Sequence, residues 1–165
     1  MKREPWDSST EKAKSLKINF FGNPDEVIKR AKPKRIATGR RYATIFLKEI
    51  VKKGLLSSKS GFKAKLSSKA VGKIVSNQAV NTSFNAEAHY LAAANIDYLF
   101  ENSIEPWKYE LNPNKNNDGL KERRYFYAPF EYKENIVFVK ITVKEYLEKQ
   151  LENKLYSIEV IDIRA

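Results

Sequence analysis

The stretch Arg123–Tyr146, RRYFYAPFEYKENIVFVKITVKEY, decides how the chain folds. It reads as two strands joined by a tight turn at KEN. In IVFVKITV (Ile136–Val143) side chains alternate between two faces, as a strand requires. Val137, Val139, Ile141 and Val143 form one face and must lie in a core. Ile136, Phe138, Lys140 and Thr142 form the other. RRYFYAPFEY (Arg123–Tyr132) supplies the partner strand. Its Pro129 has no N–H to donate to a ladder, so this strand belongs at a sheet edge or a bulge.

Working outward from this hairpin, KLYSIEVIDI (Lys154–Ile163) reads as a last strand, with Tyr156, Ile158 and Val160 on one face and Ser157 and Glu159 on the other. KEYLEKQLEN between them is a short helix or a long connection. Upstream, WKYEL (Trp107–Leu111) reads as a strand and NPNKNNDG as a polar loop. Before Pro106 the pattern is mostly helical. RYATIFLKEIVKK (Arg41–Lys53) gathers Tyr42, Ile45, Phe46 and Ile50 on one broad face, with Leu47 at its margin, and ends at Gly54, a natural C-terminal cap. LLSSKSG is a turn-rich loop and FKAKL (Phe62–Leu66) a short strand. SKAVGKIVSNQAV (Ser68–Val80) reads as a second helix and Asn85–Asn102 as a third. Residues 1–24 look loosely structured around the apolar run KINFF, and Asp25–Ala31 suits a short helix. Helices that precede strands argue for α+β: N-terminal helices packed against a C-terminal antiparallel, roughly four-stranded sheet. Residues 1–40 are expected to form a basic N-terminal arm and residues 41–165 the α+β domain.

The 165 residues carry a net charge of +11, and its placement is uneven. Residues 1–77 hold 20 Lys and Arg against 6 Asp and Glu, whereas residues 78–165 hold 11 against 14. The basic excess lies wholly in the first half. That asymmetry points to a polyanion, nucleic acid before anionic membrane. A basic surface that only keeps the chain soluble is the plainer reading. At 42% hydrophobic and 12% aromatic the chain is too apolar for disorder. The N-terminus MKREPWDSSTEK has no apolar leader, and no run is long enough to span a membrane, so a cytoplasmic protein is expected.

The absence of cysteine excludes disulfides and thiolate sites, and one histidine cannot build a zinc site, so no metal is expected. Glycines are scattered singly and form no phosphate loop, and no G-x-S-x-G elbow occurs. No cofactor is implied. What remains is basic, aromatic and hydroxyl chemistry. Arg123 and Arg124 precede Tyr125, Phe126 and Tyr127, a grouping that supplies charge for phosphate and rings for bases. Ordinary cross-strand aromatic pairing explains it equally simply. Lys140 and Thr142 project together from the hairpin. Lys69 and Lys73 share a face of the second helix.

The lone histidine, His89, falls on the border of the third helix's apolar face, whose centre is Phe84, Ala88, Leu91, Asn95 and Leu99. Packing at the edge of a core is the bland reading. Proton transfer is the functional one, because histidine alone titrates near neutrality without perturbation.

The runs GFKAKLSSKAVGKIVSN, AEAHYLAAANIDYLFENS, RRYFYAPFEYKENIVFVKITVKEY and KLYSIEVIDI together resemble a large polyvalent protein-associated domain of phages and prophages, over roughly Arg41–Ile163. That domain is grouped with barnase, EndoU, colicin-type and RelE-like nucleases. The resemblance implies helices on a four-stranded antiparallel sheet and a metal-independent ribonuclease, in which the RNA 2′-hydroxyl attacks the neighbouring phosphate. His89 would then carry a proton, Arg124 would stabilise the phosphorane, Thr142 would position the phosphate and Tyr156 would orient a group or donate a proton. Lys69, Lys73, Arg123, Tyr127 and Lys140 would hold RNA. A freely acting ribonuclease harms its host, so this reading brings a neutralising protein partner with it. The rival reading is a catalytically inert nucleic-acid-binding or phage accessory module with His89 packed. His89→Ala separates the two: a proton carrier loses about 10²–10⁴-fold in cleavage, whereas a packed residue lowers stability instead.

Overall fold

The computed structural model describes residues 6–7, 33–105, 120–146, 152–161 and 163–164. The elements in chain order are β1 (Trp6–Asp7), α1 (Arg40–Val51), β2 (Leu55–Ser57), β3 (Lys63–Leu66), α2 (Ser68–Ile74), α3 (Asn77–Val80), α4 (Ala86–Ala94), α5 (Ile96–Glu101), β4 (Leu120–Tyr132), β5 (Asn135–Tyr146), β6 (Lys154–Ile161) and β7 (Ile163–Arg164). The fold is α+β, with the helices before the long strands. The main sheet has five strands in the order β2-β3-β6-β5-β4, and β1 pairs with β7 in a separate parallel ribbon.

β4 and β5 form the expected hairpin, in register from Tyr132 opposite Asn135 to Arg124 opposite Val143. β4 is an edge strand, as Pro129 requires. Val137, Val139, Ile141 and Val143 are buried against the helices together with Phe126, Ala128 and Phe130 of β4 and Ile158 and Val160 of β6. The helical side of this core comes from Leu47 and Ile50 of α1, Ile74 of α2, Ala88 and Ala92 of α4 and Leu99 and Phe100 of α5. Phe100 meets Phe126 edge-on at 5.3 Å.

Four expectations change. The buried face of α1 is formed by Ala43, Leu47 and Ile50, and Tyr42 and Ile45 are exposed, because the helix turns its small and aliphatic side toward the core. LLS is a strand, because Leu55–Ser57 pairs antiparallel with Lys63–Lys65 and buries Leu56. The sheet is mixed, not wholly antiparallel, because β3 runs parallel to β6 at Lys65–Lys154 and Leu66–Leu155. The second and third expected helices are each broken. Ser76 caps α3 by accepting the Ala79 N–H, which ends α2 before it. Asn95 interrupts the third. The readings of KINFF, Asp25–Ala31 and WKYEL as elements lie outside the described residues, as does the middle of KEYLEKQLEN, whose first three residues extend β5.

Asn95 explains why a polar residue sits at the centre of an apolar face. It is fully buried, and its amide accepts the N–H groups of Lys34 and Arg35 at 3.0 and 2.8 Å and donates to the carbonyls of Arg35 and Leu91. All four bonding positions of the side chain are filled. Arg35 is gripped a second time, donating to both oxygens of buried Asp97 at 2.6 and 2.9 Å, and Lys53 reaches the same carboxylate at 2.5 Å. Burial by itself would raise the Asp97 carboxyl, but the bonds from Arg35 and Lys53 outweigh it and hold it down to about 2. The basic connector from Lys34 onward, expected in the arm, is therefore built into the domain, and Ala37 joins the core.

The β4–β5 turn puts Lys133 and Glu134 at φ 47° and 67°. Two consecutive positive φ values fit the right-handed twist of a two-residue hairpin, but an L side chain is strained at each. Replacing Lys133-Glu134 by Asn-Gly should stabilise the protein by about 1 kcal/mol. The measurement is a urea midpoint that rises at unchanged slope.

Candidate nucleic-acid interface

The sheet has a second face, opposite the helical core. Along β5 it carries Phe138, Lys140, Thr142 and Lys144, of which Phe138 and Thr142 are buried and the two lysines half-buried. Lys140 stands opposite Glu159 and Thr142 opposite Ser157 on β6, with Tyr127 and Tyr125 as their neighbours on β4. The β5–β6 register slips between Thr142 and Val143, so Tyr156 is an extra residue in the ladder and turns to the groove, away from the core face of Ile158 and Val160 on which simple alternation placed it. The end of α2 and all of α3 wrap around the open edge of β6. They close one side of a groove of about 410 Å³ lined by Lys73, Gln78, Thr82, Lys140, Thr142 and Tyr156, together with Ser157 and Glu159. The Lys73 ammonium lies 4.1 Å from the Tyr156 ring centre and that of Lys144 lies 4.4 Å from it. Lys140 stands 4.4 Å over Tyr125.

The wall formed by α2 and α3 is fixed by a chain of hydrogen bonds through His89. Val160 on the open edge of β6 donates its N–H to Ser83 Oγ at 2.8 Å. Ser83 Oγ lies 2.7 Å from His89 Nδ1, and His89 Nε2 lies 2.7 Å from the Ile74 carbonyl. A carbonyl can only accept, so Nε2 carries the proton and Nδ1 accepts from the serine hydroxyl. The ring is neutral and both nitrogens are committed. His89 is fully buried. Burial pushes its pKa below the ordinary histidine value, and the bond to Ile74 recovers only part of that. Ile74 ends α2, where a carbonyl lacks an intrahelical partner, so the histidine caps the helix from the side.

Of the nine residues singled out from sequence, Lys73, Lys140, Thr142 and Tyr156 line the groove. Arg123 faces the same side of the sheet but stands beside the groove. Lys69 is exposed one turn before Lys73 and does not line it. Three residues are placed elsewhere. His89 is on the core side, where it meets no solvent. Arg124 is also on the core side, bonded to Glu105 at 3.0 and 2.5 Å, 3.6 Å from Glu145 and 4.1 Å over the Phe62 ring. Tyr127 is buried at 3% exposure. The convergence of His89, Arg124 and Thr142 that the ribonuclease assignment needs is absent, because adjacent residues on a strand face opposite sides. Arg124 shares its side with Val143, and Thr142 lies on the other. Lys144 and Thr82 carry no signal in the sequence that marks them as site residues, and Tyr125 carries only that of the Arg-aromatic run. Strand register, with its slip at Tyr156, brings Lys144 and Tyr125 to this face, and the turn after α3 brings Thr82.

The family model for large polyvalent protein-associated domain 3 matches residues 34–156. The chain belongs to this family. The match begins at Lys34, where the connector docks onto Asn95, and it bears out the resemblance at the level of the large polyvalent protein-associated domain. No curated protein and no solved structure matches the chain. Among the described residues, no helix is long and apolar enough to cross a membrane.

The titrations of His89 and Asp97 fall in separate pH windows. Protonating His89 favours the unfolded chain, where the ring titrates near 6.5. Its contribution to stability is full above that value and declines as the pH falls below it. Asp97 contributes fully above 3.8 and loses its share as the pH falls toward about 2, a loss of about 2 kcal/mol. Urea unfolding from pH 8 to pH 2 should therefore show two separate declines. His89→Gln should flatten the first and lower stability at pH 8 by about 1–3 kcal/mol. Asp97→Asn should flatten the second.

Proposed function

We propose that the domain binds nucleic acid, with backbone phosphate held in the groove between the sheet and the wall formed by α2 and α3, and that it acts as a binding or accessory module. The observation that carries this reading is the gathering of Lys73 and Lys140 with Thr142, Ser157 and Thr82 around Tyr156. Ammonium groups and hydroxyls recognise phosphate oxygens, and a ring beside them offers a face to a base. The burial of His89, the only histidine of the chain, removes the side chain best suited to move protons at neutral pH.

A metal-independent ribonuclease acting in the same groove is the second reading, and one observation favours it. Glu159 stands opposite Lys140 in register and lines the groove. A carboxylate there could serve as the base for a 2′-hydroxyl, with Lys140 meeting the charge on the phosphate. Arg124 takes no part in this version.

One experiment separates the two. The protein is incubated with tRNA and with a single-stranded RNA in EDTA, beside Lys73→Glu, Lys140→Glu, Glu159→Gln and His89→Gln. The binding module gives salt-sensitive retention without cleavage. Each Lys→Glu change should weaken retention by about tenfold, while His89→Gln keeps it. Cleavage that Glu159→Gln abolishes would move the assignment to the ribonuclease. Cleavage abolished only by His89→Gln, in a folded protein, would overturn the assignment of His89 to packing.

A further inference from the structure

Four cations stand in one row across the outer face of the sheet. Lys65 of β3 is opposite Lys154 of β6, Lys154 is opposite Lys144 of β5, and Lys144 is opposite Arg123 of β4. All four are half-buried. Their core-side neighbours are Leu66, Leu155, Val143 and Arg124, so alternation along each strand sets the four on the opposite side. Neighbouring strands lie about 4.8 Å apart, so the row spans about 14 Å. Like charges directly opposite one another destabilise a sheet. Here three consecutive pairs are like-charged. Among the described residues a carboxylate stands beside one of the four, Glu152 at 3.0 Å from Lys65. Further along the same face the sheet pairs Lys140 with Glu159, the arrangement that stability favours. A polyanion laid along the row would relieve this repulsion.

Three tyrosines adjoin this row, each with an ammonium near its ring, and Tyr146 lies 5.5 Å from the Lys154 ammonium. Tyr125 lies two residues beyond Arg123 under the Lys140 ammonium, and Tyr156 lies by Lys144 and Lys73. A ring face that holds a cation also stacks a base, and an ammonium moved aside from the ring reaches a phosphate at little cost. We infer that the outer sheet face is a platform for single-stranded nucleic acid. The sugar–phosphate backbone crosses the strands along Lys65, Lys154, Lys144 and Arg123, and bases stack on Tyr125 and Tyr156. A duplex keeps its bases stacked on each other and cannot use the tyrosines. This inference rests on the nucleic-acid-binding reading and narrows it to unpaired strands.

The test is fluorescence anisotropy in EDTA with a single-stranded RNA of about 10 nucleotides, a length within the range one such platform covers, and the duplex of the same sequence, across a salt series, with anionic phosphatidylserine vesicles in a parallel arm. Single-stranded RNA should bind at least about tenfold tighter than duplex. The double change Lys144→Gln, Lys154→Gln should reduce the slope of log affinity against log salt by about 1.4, the share of two phosphate contacts on a single strand. Tyr156→Leu should weaken single-strand binding by about fivefold to a hundredfold and leave the slope unchanged. In the free protein, Lys154→Gln should raise the urea midpoint, because it relieves repulsion on both sides. A lowered midpoint would mean that the row does not oppose folding and would overturn its interpretation. Equal binding of duplex and single strand, or no effect of Tyr156→Leu, would overturn the platform and leave the nucleic-acid reading standing. Failure of both RNAs to bind would overturn both, and binding to vesicles alone would replace them with a membrane surface.

Discussion

The groove depends on the bonded chain from Val160 through Ser83 and His89 to Ile74. β3 pairs with β6 only at its start, at Lys154 and Leu155, so the rest of that edge of β6 has backbone groups in need of partners. Ser83 Oγ takes the Val160 N–H, and the Phe84 N–H donates to the Val160 carbonyl at 3.2 Å. The same serine orients His89, and the histidine reaches the last carbonyl of α2. One polar chain therefore closes a sheet edge and a helix end together, and it does so with every member satisfied. It also sets the distance between α2 and β6, across which Lys73 meets Tyr156.

A second polar device holds the opposite side of the helical layer. Asn95 and Asp97 flank the break between α4 and α5 and fasten the connector that leads into α1. The buried amide and carboxylate both act on a backbone segment rich in cations, which explains why part of the basic N-terminal half is structural. Arg35 and Lys53 neutralise Asp97 and are not available to a polyanion. The cations that face the groove and the outer sheet come mainly from the half of the chain with a net negative charge: Arg123, Lys140, Lys144 and Lys154. A linear charge count cannot show which cations pair inside the fold, as Arg35 and Lys53 do, or which a sheet collects on one face.

Several features are legible in the amino-acid order alone. The alternation in IVFVKITV marks the buried face of β5, Pro129 marks the edge position of β4, and the order of helices and strands marks the α+β class. These are local signals: strand periodicity and the missing proline N–H act over a few residues. Lys140 and Thr142 group correctly for the same reason. Lys73 and Tyr156 also carry suitable chemistry, although nothing local joins them to the hairpin. The helix breaks at Ser76 and Asn95 escape a reading by periodicity, since both residues bond to backbone groups and the apolar pattern continues across them.

The sequence by itself determined which residues alternate on β4 and β5, where the hairpin turns and which side chains are chemically able to bind phosphate. The tertiary structure alone decided the role of the histidine and the site of charge. A helical wheel sets His89 on a border that suits packing or catalysis equally; the partners at its two nitrogens come from residues 6 and 15 positions away, and their arrangement leaves the ring neutral and enclosed. Arg124 and Thr142 look alike as site residues until the register sets them on opposite sides of one sheet. Cross-strand register joins residues far apart in the chain, so a row such as Lys65, Lys154, Lys144 and Arg123 exists only once the strands have paired.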